Sequence, residues 1–215
     1  MITRAALEYE EFREIVSTYK MEIPLKGGEG VRLLVNHNKL LKSLDGCIGV
    51  KTGYTMRSGR CLVSACERGG VTLICVTLAA PDDWNDHRAL YDWGFAQVER
   101  VTLTEAGEQY AVLPVVGAAL PDGTLPADGE ILTASVSNPD ALSVTLPRDH
   151  APIRKVTYVS RFLYAPVMKG AYVGRTVYYC GDAVIGWVPL YACEDVALYR
   201  KPTLWERICA LIGAD

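Results

Sequence analysis

The chain has 215 residues, half of them hydrophobic, with a formal net charge of −3 and a pI near 5.7. That length and apolar content suffice for one good core or two smaller ones. The mild acidity offers no basic patch and argues against nucleic acid as a partner, and no apolar run approaches the roughly 20 residues a membrane span needs.

Met1 to Glu8 carries no apolar segment after its charge, so it does not read as a secretory leader. Residues 2 to 20 read as one amphipathic helix, with Ile2, Ala5, Tyr9, Phe12, Val16 and Tyr19 recurring every three to four positions. Ser17-Thr18-Tyr19-Lys20 is the chain's single Ser-x-x-Lys. Ser17 falls off the apolar stripe toward solvent, whereas a serine–lysine pair works when the lysine is desolvated and its pKa falls, so Ser17 is rejected as a nucleophile. Gly27 to Gly30 reads as a loop and Val31 to Val35 as a short strand. Asn36 and Asn38 read as turn-forming and capping residues. His37 with Cys47 has the residue types of a thiol nucleophile and its base, but nothing in the sequence sets their geometry.

Lys51-Thr52-Gly53 follows, on a strand read through Gly49 to Thr55. Lysine supplies a compact positive charge. Threonine supplies a hydroxyl that donates to an anion. Glycine, without a side chain, lets a ligand lie against the backbone. A peptide with a free terminal carboxylate would dock along such an edge as an added strand.

Arg60 to Cys66 and Val71 to Ala80, joined by Glu67-Arg68-Gly69-Gly70, form a strong hairpin pattern. Both runs are apolar on both faces, as buried central strands are. Three antiparallel strands are therefore expected, the first carrying Lys51. Pro81-Asp82-Asp83 then caps a helix expected to place Trp84, Arg88, Tyr91 and Phe95 on one side. Asp83 and His87, four apart, are a candidate metal pair, with exposure or local bonding the plainer reading; no metal and no cofactor is expected.

From about residue 98 short alternating runs are broken by turns: 101–104, 109–116, 130–137, 142–146, 156–159, 172–180, 183–190 and 195–199. Regular short strands with such punctuation suggest a small β-sandwich. A last helix is expected over 202–212, with Pro202 at its start and Thr203-x-x-Glu206 as a capping box. Its apolar face would hold Leu204, Trp205, Ile208, Cys209 and Ile212. The seven cysteines, at 47, 61, 66, 75, 180, 193 and 209, show no C-x-x-C and no zinc spacing. Their odd number excludes complete internal pairing. Buried free thiols are expected, with one disulfide between Cys61 and Cys75 left open.

The run Asn36-x-Asn38-x-Leu40-Leu41, a short loop, then Gly49-Val50-Lys51-Thr52-Gly53-Tyr54-Thr55, resembles the low-molecular-mass penicillin-binding proteins, the serine-type D-alanyl-D-alanine carboxypeptidases. Trp93-Gly94-Phe95 and the stretch Leu163 to Gly174 resemble the same family. The family uses Ser-x-x-Lys, Ser-x-Asn and Lys-Thr-Gly; this chain carries the third, and neither a Ser-x-Asn nor a Tyr-x-Asn occurs in it.

The resemblance implies an α+β fold. Residues 1–97 would be the C-terminal part of a penicillin-binding, β-lactamase-like transpeptidase domain, 98–200 a C-terminal β-sandwich domain, and 201–215 a short amphipathic helix. It implies a hydrolase that removes the terminal D-Ala of peptidoglycan stem peptides through an acyl-serine, and that binds β-lactams. Its serine and general-base lysine would lie outside these residues, leaving this polypeptide inactive by itself. By the same resemblance Lys51 supplies electrostatic pull, Thr52 holds the terminal carboxylate, Gly53 allows close approach, and the Tyr54 N–H is an oxyanion donor. The implied location is the cell envelope, outside the cytoplasm, with Met1 internal to a longer protein and the last helix weakly on the membrane surface. A non-catalytic module that contacts envelope partners through its β-domain is the alternative. A β-lactamase relative would share Lys-Thr-Gly but leave residues 98–199 unexplained.

Overall fold

The computed structural model describes residues 1–25, 27, 28, 30–205 and 207. The chain divides into two compact units: Met1–Arg100 with Thr145–Asp149, and Val101–Val144 with His150–Asp215.

The first unit opens with α1 (Ile2–Ala6) and α2 (Glu10–Ser17), and not with one helix over residues 2 to 20. The expected stripe is replaced by Leu7, Phe12 and Val16, which pack on Val50 and Ala65. Tyr9 and Ile2 stay exposed. Burying Leu7 requires the chain to turn after Ala6. Beyond Ser17 the chain enters β1 (Lys20–Pro24), which pairs antiparallel with β2 (Val31–Val35). Periodicity alone misses β1, because its ladder partner lies beyond the intervening loop. Every residue of both strands is exposed.

After α3 (Leu40–Ser43) come β3 (Cys47–Thr55), β4 (Gly59–Arg68) and β5 (Val71–Thr77), in the sheet order β3-β4-β5. This is the expected three-stranded antiparallel unit. Arg68 pairs with Val71, so Gly69 and Gly70 make a two-residue turn. Both have positive φ, +55° and +72°, the conformation a type I′ hairpin demands and glycine supplies without strain. The helix α4 (Asp83–Gln97) covers one face of the sheet, packing Tyr91 and Phe95 on Cys66, Cys75 and Leu73. On the other face the cluster of Leu7, Val50 and Ala65 leaves Ile74 and Val76 exposed. The expectation of two strands buried on both faces therefore holds for much of β4 and fails for β5. Leu40, Leu62 and Tyr91 are each at most 1% exposed, and burying one such side chain contributes about 1.5–3 kcal/mol.

Two expectations about α4 and the cysteines are corrected. The buried stripe of α4 is Asp83, His87 and Tyr91; Trp84 and Arg88 are only partly buried. Cys61 faces Gly53 across the β3–β4 ladder, while Cys75 faces Ser64 across β4–β5. Positions 61 and 64 alternate to opposite sheet faces, so Cys61 and Cys75 do not meet, and both are free thiols.

From Val98 to Ala192 the chain is built of strands, the first and fourth of which give residues 98–100 and 145–147 to the first unit. The strands β6 (Val98–Thr104), β7 (Gln109–Val116), β8 (Thr133–Ser137), β9 (Leu142–Pro147), β10 (Ile153–Val159), β11 (Leu163–Tyr164), β12 (Tyr172–Cys180) and β13 (Ala183–Ala192) follow in order. Six form one sheet, ordered β10-β12-β13-β8-β7-β11, and β6 pairs with β9. Leu113, Val136, Tyr178, Val188 and Leu190 make a core against which Leu103 of β6 and Leu142 of β9 pack. The strand expected at 195–199 reduces to two bridges, Val196 to Val167 and Leu198 to Ala118. The last helix lies largely outside the described residues. Leu204 and Trp205, which are described, are exposed. Among the described residues no helix is long and apolar enough to cross a membrane.

Candidate functional site

Among the described residues β3 pairs only with β4, so its other edge is open. The register sets Lys51 opposite Val63, Thr52 opposite Leu62, Gly53 opposite Cys61 and Tyr54 opposite Arg60. Side chains alternate along a strand, so Thr52 and Tyr54 share the sheet face that α4 covers, and Lys51 points to the other. Lys51 is exposed, and its Nζ donates to the Thr52 carbonyl. A Cβ placed on Gly53 would meet no atom nearer than 3.9 Å. Nothing inside the protein demands glycine there, so the open space is available to a ligand.

This edge forms one wall of a cleft of about 800 Å³. Arg60 and Asp83 close it on the α4 side. Arg60 donates from Nη2 and Nε to Asp83 Oδ1 at 2.6 and 3.2 Å and lies 5.5 Å from the Trp84 ring centre. Hydrogen bonding to that buried carboxylate raises the Arg60 pKa further above its ordinary value. The opposite wall comes from the segment before β3. Asn36 donates to the carbonyls of Val16 and Thr18 (3.3 and 3.2 Å) and accepts from the Asn38 N–H at 2.9 Å. Asn38 is fully buried and accepts from the Leu40 N–H at 3.1 Å. Both asparagines thus shape the turn, as their residue type suggests. Lys42 sits 3.9 Å from the Tyr19 ring centre, and Lys39 also lines the cleft. Lys39, Lys42, Lys51 and Arg60 face one lining carboxylate, Asp83, which is already bonded to Arg60. The cleft therefore suits an anionic group.

His37 lines the cleft, while Cys47 bonds the Gly49 carbonyl and Asn38; among the described residues no hydrogen bond joins His37 to Cys47. Ser17 is exposed and donates to the Glu14 carbonyl, and Lys20 already belongs to β1, so the two form no nucleophile pair. Asp83 and His87 are buried, and each is bonded to other side chains. Asp83 holds Arg60, and His87 bonds Ser64 Oγ (2.6 Å) and Thr77 Oγ1 (3.0 Å). Among the described residues no group of three His, Cys, Asp or Glu side chains could hold a metal ion. Burial holds the His87 pKa below its ordinary value. Ser64, bonded also to Tyr91 Oη at 2.8 Å, is fully buried, so this serine–histidine contact is internal scaffolding. Arg60 and Lys42 escaped the reading of the sequence. Arg60 was reachable from the hairpin register, which sets it opposite Tyr54.

The family described as D-alanyl-D-alanine carboxypeptidase matches residues 1–82, and that described as penicillin-binding protein 5, C-terminal domain, matches residues 126–198. The D-alanyl-D-alanine carboxypeptidase DacC of Escherichia coli is 31% identical over 171 residues, covering 75% of this chain and 39% of the relative. DacF of Bacillus subtilis, a protein of the same description, is 25% identical over 199 residues, covering 91% of this chain and 49% of the relative. The crystal structure of penicillin binding protein 5 from Haemophilus influenzae shares the fold, with a TM-score of 0.57 at 23% identity over 91% of this chain and 53% of that one. The chain spans about half or less of the length of the curated relatives it matches.

Proposed function

The chain belongs to the D-alanyl-D-alanine carboxypeptidase family, and on that premise we propose that the edge Lys51 to Tyr54 reads the terminal carboxylate of a peptidoglycan stem peptide ending in D-Ala-D-Ala. In this reading the peptide lies along the open edge of β3, as an added strand does. Thr52 Oγ1 donates to the carboxylate. Lys51 supplies positive potential from the other face of the strand. Gly53 leaves room for the peptide backbone, and the Tyr54 N–H is one of two donors to the oxyanion of acyl transfer. β-Lactams would enter the same cleft. The attacking serine and the lysine that takes its proton come from Ser-x-x-Lys in the complete enzyme, and Ser17-x-x-Lys20 does not serve. This polypeptide alone therefore binds without turning over.

The observation that carries the reading is a Lys-Thr-Gly on a strand edge that is unpaired among the described residues, beside a cleft whose lining cations there outnumber its one carboxylate. Residues 1–97 are then part of a catalytic domain, 98–200 a non-catalytic β-domain, and the segment 201–215 meets the membrane surface at the cell envelope. The test is titration of the ¹⁵N-labelled chain with a peptide ending in D-Ala-D-Ala, followed by NMR. Amide shifts should centre on residues 51–54 and weaken at least tenfold in affinity in Thr52→Val and Lys51→Ala. Shifts centred elsewhere, or unchanged affinity in both variants, would refute the assignment.

A further inference from the structure

Three of the cysteines, Cys47, Cys66 and Cys75, gather under α4 in one cluster with Tyr91. Cys47 of β3 and Cys66 of β4 stand directly opposite each other in the ladder. Cys47 spends its N–H on the Leu44 carbonyl (3.2 Å), and the neighbouring ladder bond runs from the Glu67 N–H to the Gly46 carbonyl (2.8 Å). The two cysteines therefore do not exchange backbone hydrogen bonds. Antiparallel pairs of that kind hold their Cα atoms about 4.5 Å apart and bring the side chains closest. Disulfides span Cα separations of about 4.4–6.8 Å, so the backbone already meets the requirement. Cys75 is set opposite Ser64, one ladder further on, and Cys61 lies on the other face.

We propose that Cys47 and Cys66 form a paired-thiol modification site for a two-electron oxidant of the peroxide class, with Cys47 attacking and Cys66 resolving to a cross-strand disulfide. The Cys47 thiolate attacks a peroxide oxygen, forms an S–O bond and breaks the O–O bond, giving a sulfenic acid and hydroxide. Cys66 sulfur then attacks the Cys47 sulfur and displaces the second hydroxide. The two thiol protons convert both hydroxides to water, so two thiols are oxidised and one hydrogen peroxide is reduced. The order follows from exposure and bonding. Cys47 is half-buried and Cys66 fully buried. The Cys66 thiol itself donates to the Asp45 carbonyl at 3.4 Å. The polar surroundings of Cys47, the neighbouring Cys66 side chain first, then the Gly49 backbone and Asn38 Nδ2 at 4.0 Å, outweigh burial and lower the Cys47 pKa to about 7. The neighbouring Cys47 side chain and burial push the Cys66 thiol up. The new bond would tie β3 to β4 beside the bulge between Cys47 and Gly49, just before Lys51.

The test treats the 215-residue protein with equimolar hydrogen peroxide at pH 7, alkylates what remains, and maps the digest by tandem mass spectrometry. The expected product is a Cys47–Cys66 cross-link with the loss of two hydrogens, retained in Cys61→Ser and abolished in Cys47→Ser. Cys66→Ser should halt at a Cys47 sulfenic acid that dimedone traps. If Cys66→Ser fails to fold, alkylation of the unaltered protein still decides. Raised thiolate content, discounted for the lower nucleophilicity of a weaker base, predicts Cys47 alkylation about fivefold faster than at an unperturbed thiol of equal exposure. Both sulfurs recovered alkylated after peroxide, or a cross-link of Cys47 to Cys61 or Cys75, would overturn the assignment.

Discussion

Removing the Ser64 hydroxyl tests how the sheet beneath α4 is held. Ser64, His87 and Tyr91 are at most 1% exposed, and their polar atoms form one chain. Tyr91 Oη lies 2.8 Å from Ser64 Oγ, which lies 2.6 Å from His87 Nδ1, while His87 Nε2 lies 3.0 Å from Thr77 Oγ1. With neutral His87 protonated at Nε2, every group in the chain has a partner: Tyr91 donates to Ser64, Ser64 to His87, and His87 to Thr77. Ser64→Ala orphans Tyr91 Oη and His87 Nδ1 together. An unsatisfied buried polar group costs about 1–3 kcal/mol, so the variant should lose about 3 kcal/mol. Tyr91→Phe removes a donor but leaves Ser64 able to donate to His87, and should lose about 1 kcal/mol. Hydrogen exchange of peptides from β4, β5 and α4 reads these losses locally. Exchange should rise about a hundredfold in Ser64→Ala and about fivefold in Tyr91→Phe, at 1.4 kcal/mol per decade. A rise below about threefold in Ser64→Ala, or equal rises in the two variants, would refute the shared chain.

Two further outcomes follow from the same unit. Burial holds the folded His87 pKa below its ordinary value of 6.5, so below pH 6.5 the unfolded chain takes up a proton that the folded chain refuses. Stability of the β4–α4 region should fall as pH drops from 6.5 toward the lower folded value, by at most about 1.4 kcal/mol per pH unit. Exchange corrected for its intrinsic pH dependence measures this, and His87→Gln should flatten the slope; an unchanged slope would place the titration elsewhere. Ile74, Val76 and Leu78 are 38%, 56% and 74% exposed along β5 and just beyond it, and such a patch favours self-association. Sedimentation velocity should show the chain associating at micromolar concentration and Ile74→Thr with Val76→Lys reducing that association; a monomeric unsubstituted chain would count against the reasoning.

The strand carrying Lys51, the hairpin after it, the helix near residue 83 and most strands beyond residue 98 were legible because each rests on local pattern. Alternation, a Gly-Gly turn that needs positive φ, and an apolar run bounded by turn residues are all properties of neighbours in sequence. The tie to the carboxypeptidase family was legible for a related reason, since Asn36-x-Asn38-x-Leu40-Leu41 and Gly49 to Thr55 lie close together in the chain. The errors share the opposite cause. The helix expected over residues 2–20 breaks because Leu7 finds Val50 and Ala65 and because Lys20–Pro24 finds Val31–Val35. Those partners lie far along the chain, and helical periodicity carries no trace of them.

The sequence by itself determined most of the elements beyond residue 30 and the residue types along the Lys51 edge. The tertiary structure decided which side chains surround them. The hydropathy of α4 points to Trp84, Arg88, Tyr91 and Phe95, yet the fold buries Asp83, His87 and Tyr91. A polar group enters a core when a partner waits there, and Arg60, Ser64 and Thr77 wait on strands 10 to 23 residues away. The pairing of Cys47 with Cys66 was hidden likewise, since a one-residue change of register would turn every side chain of β3 to the other face. Register is settled by what the whole sheet buries, and so it is written in the fold and not in any one segment.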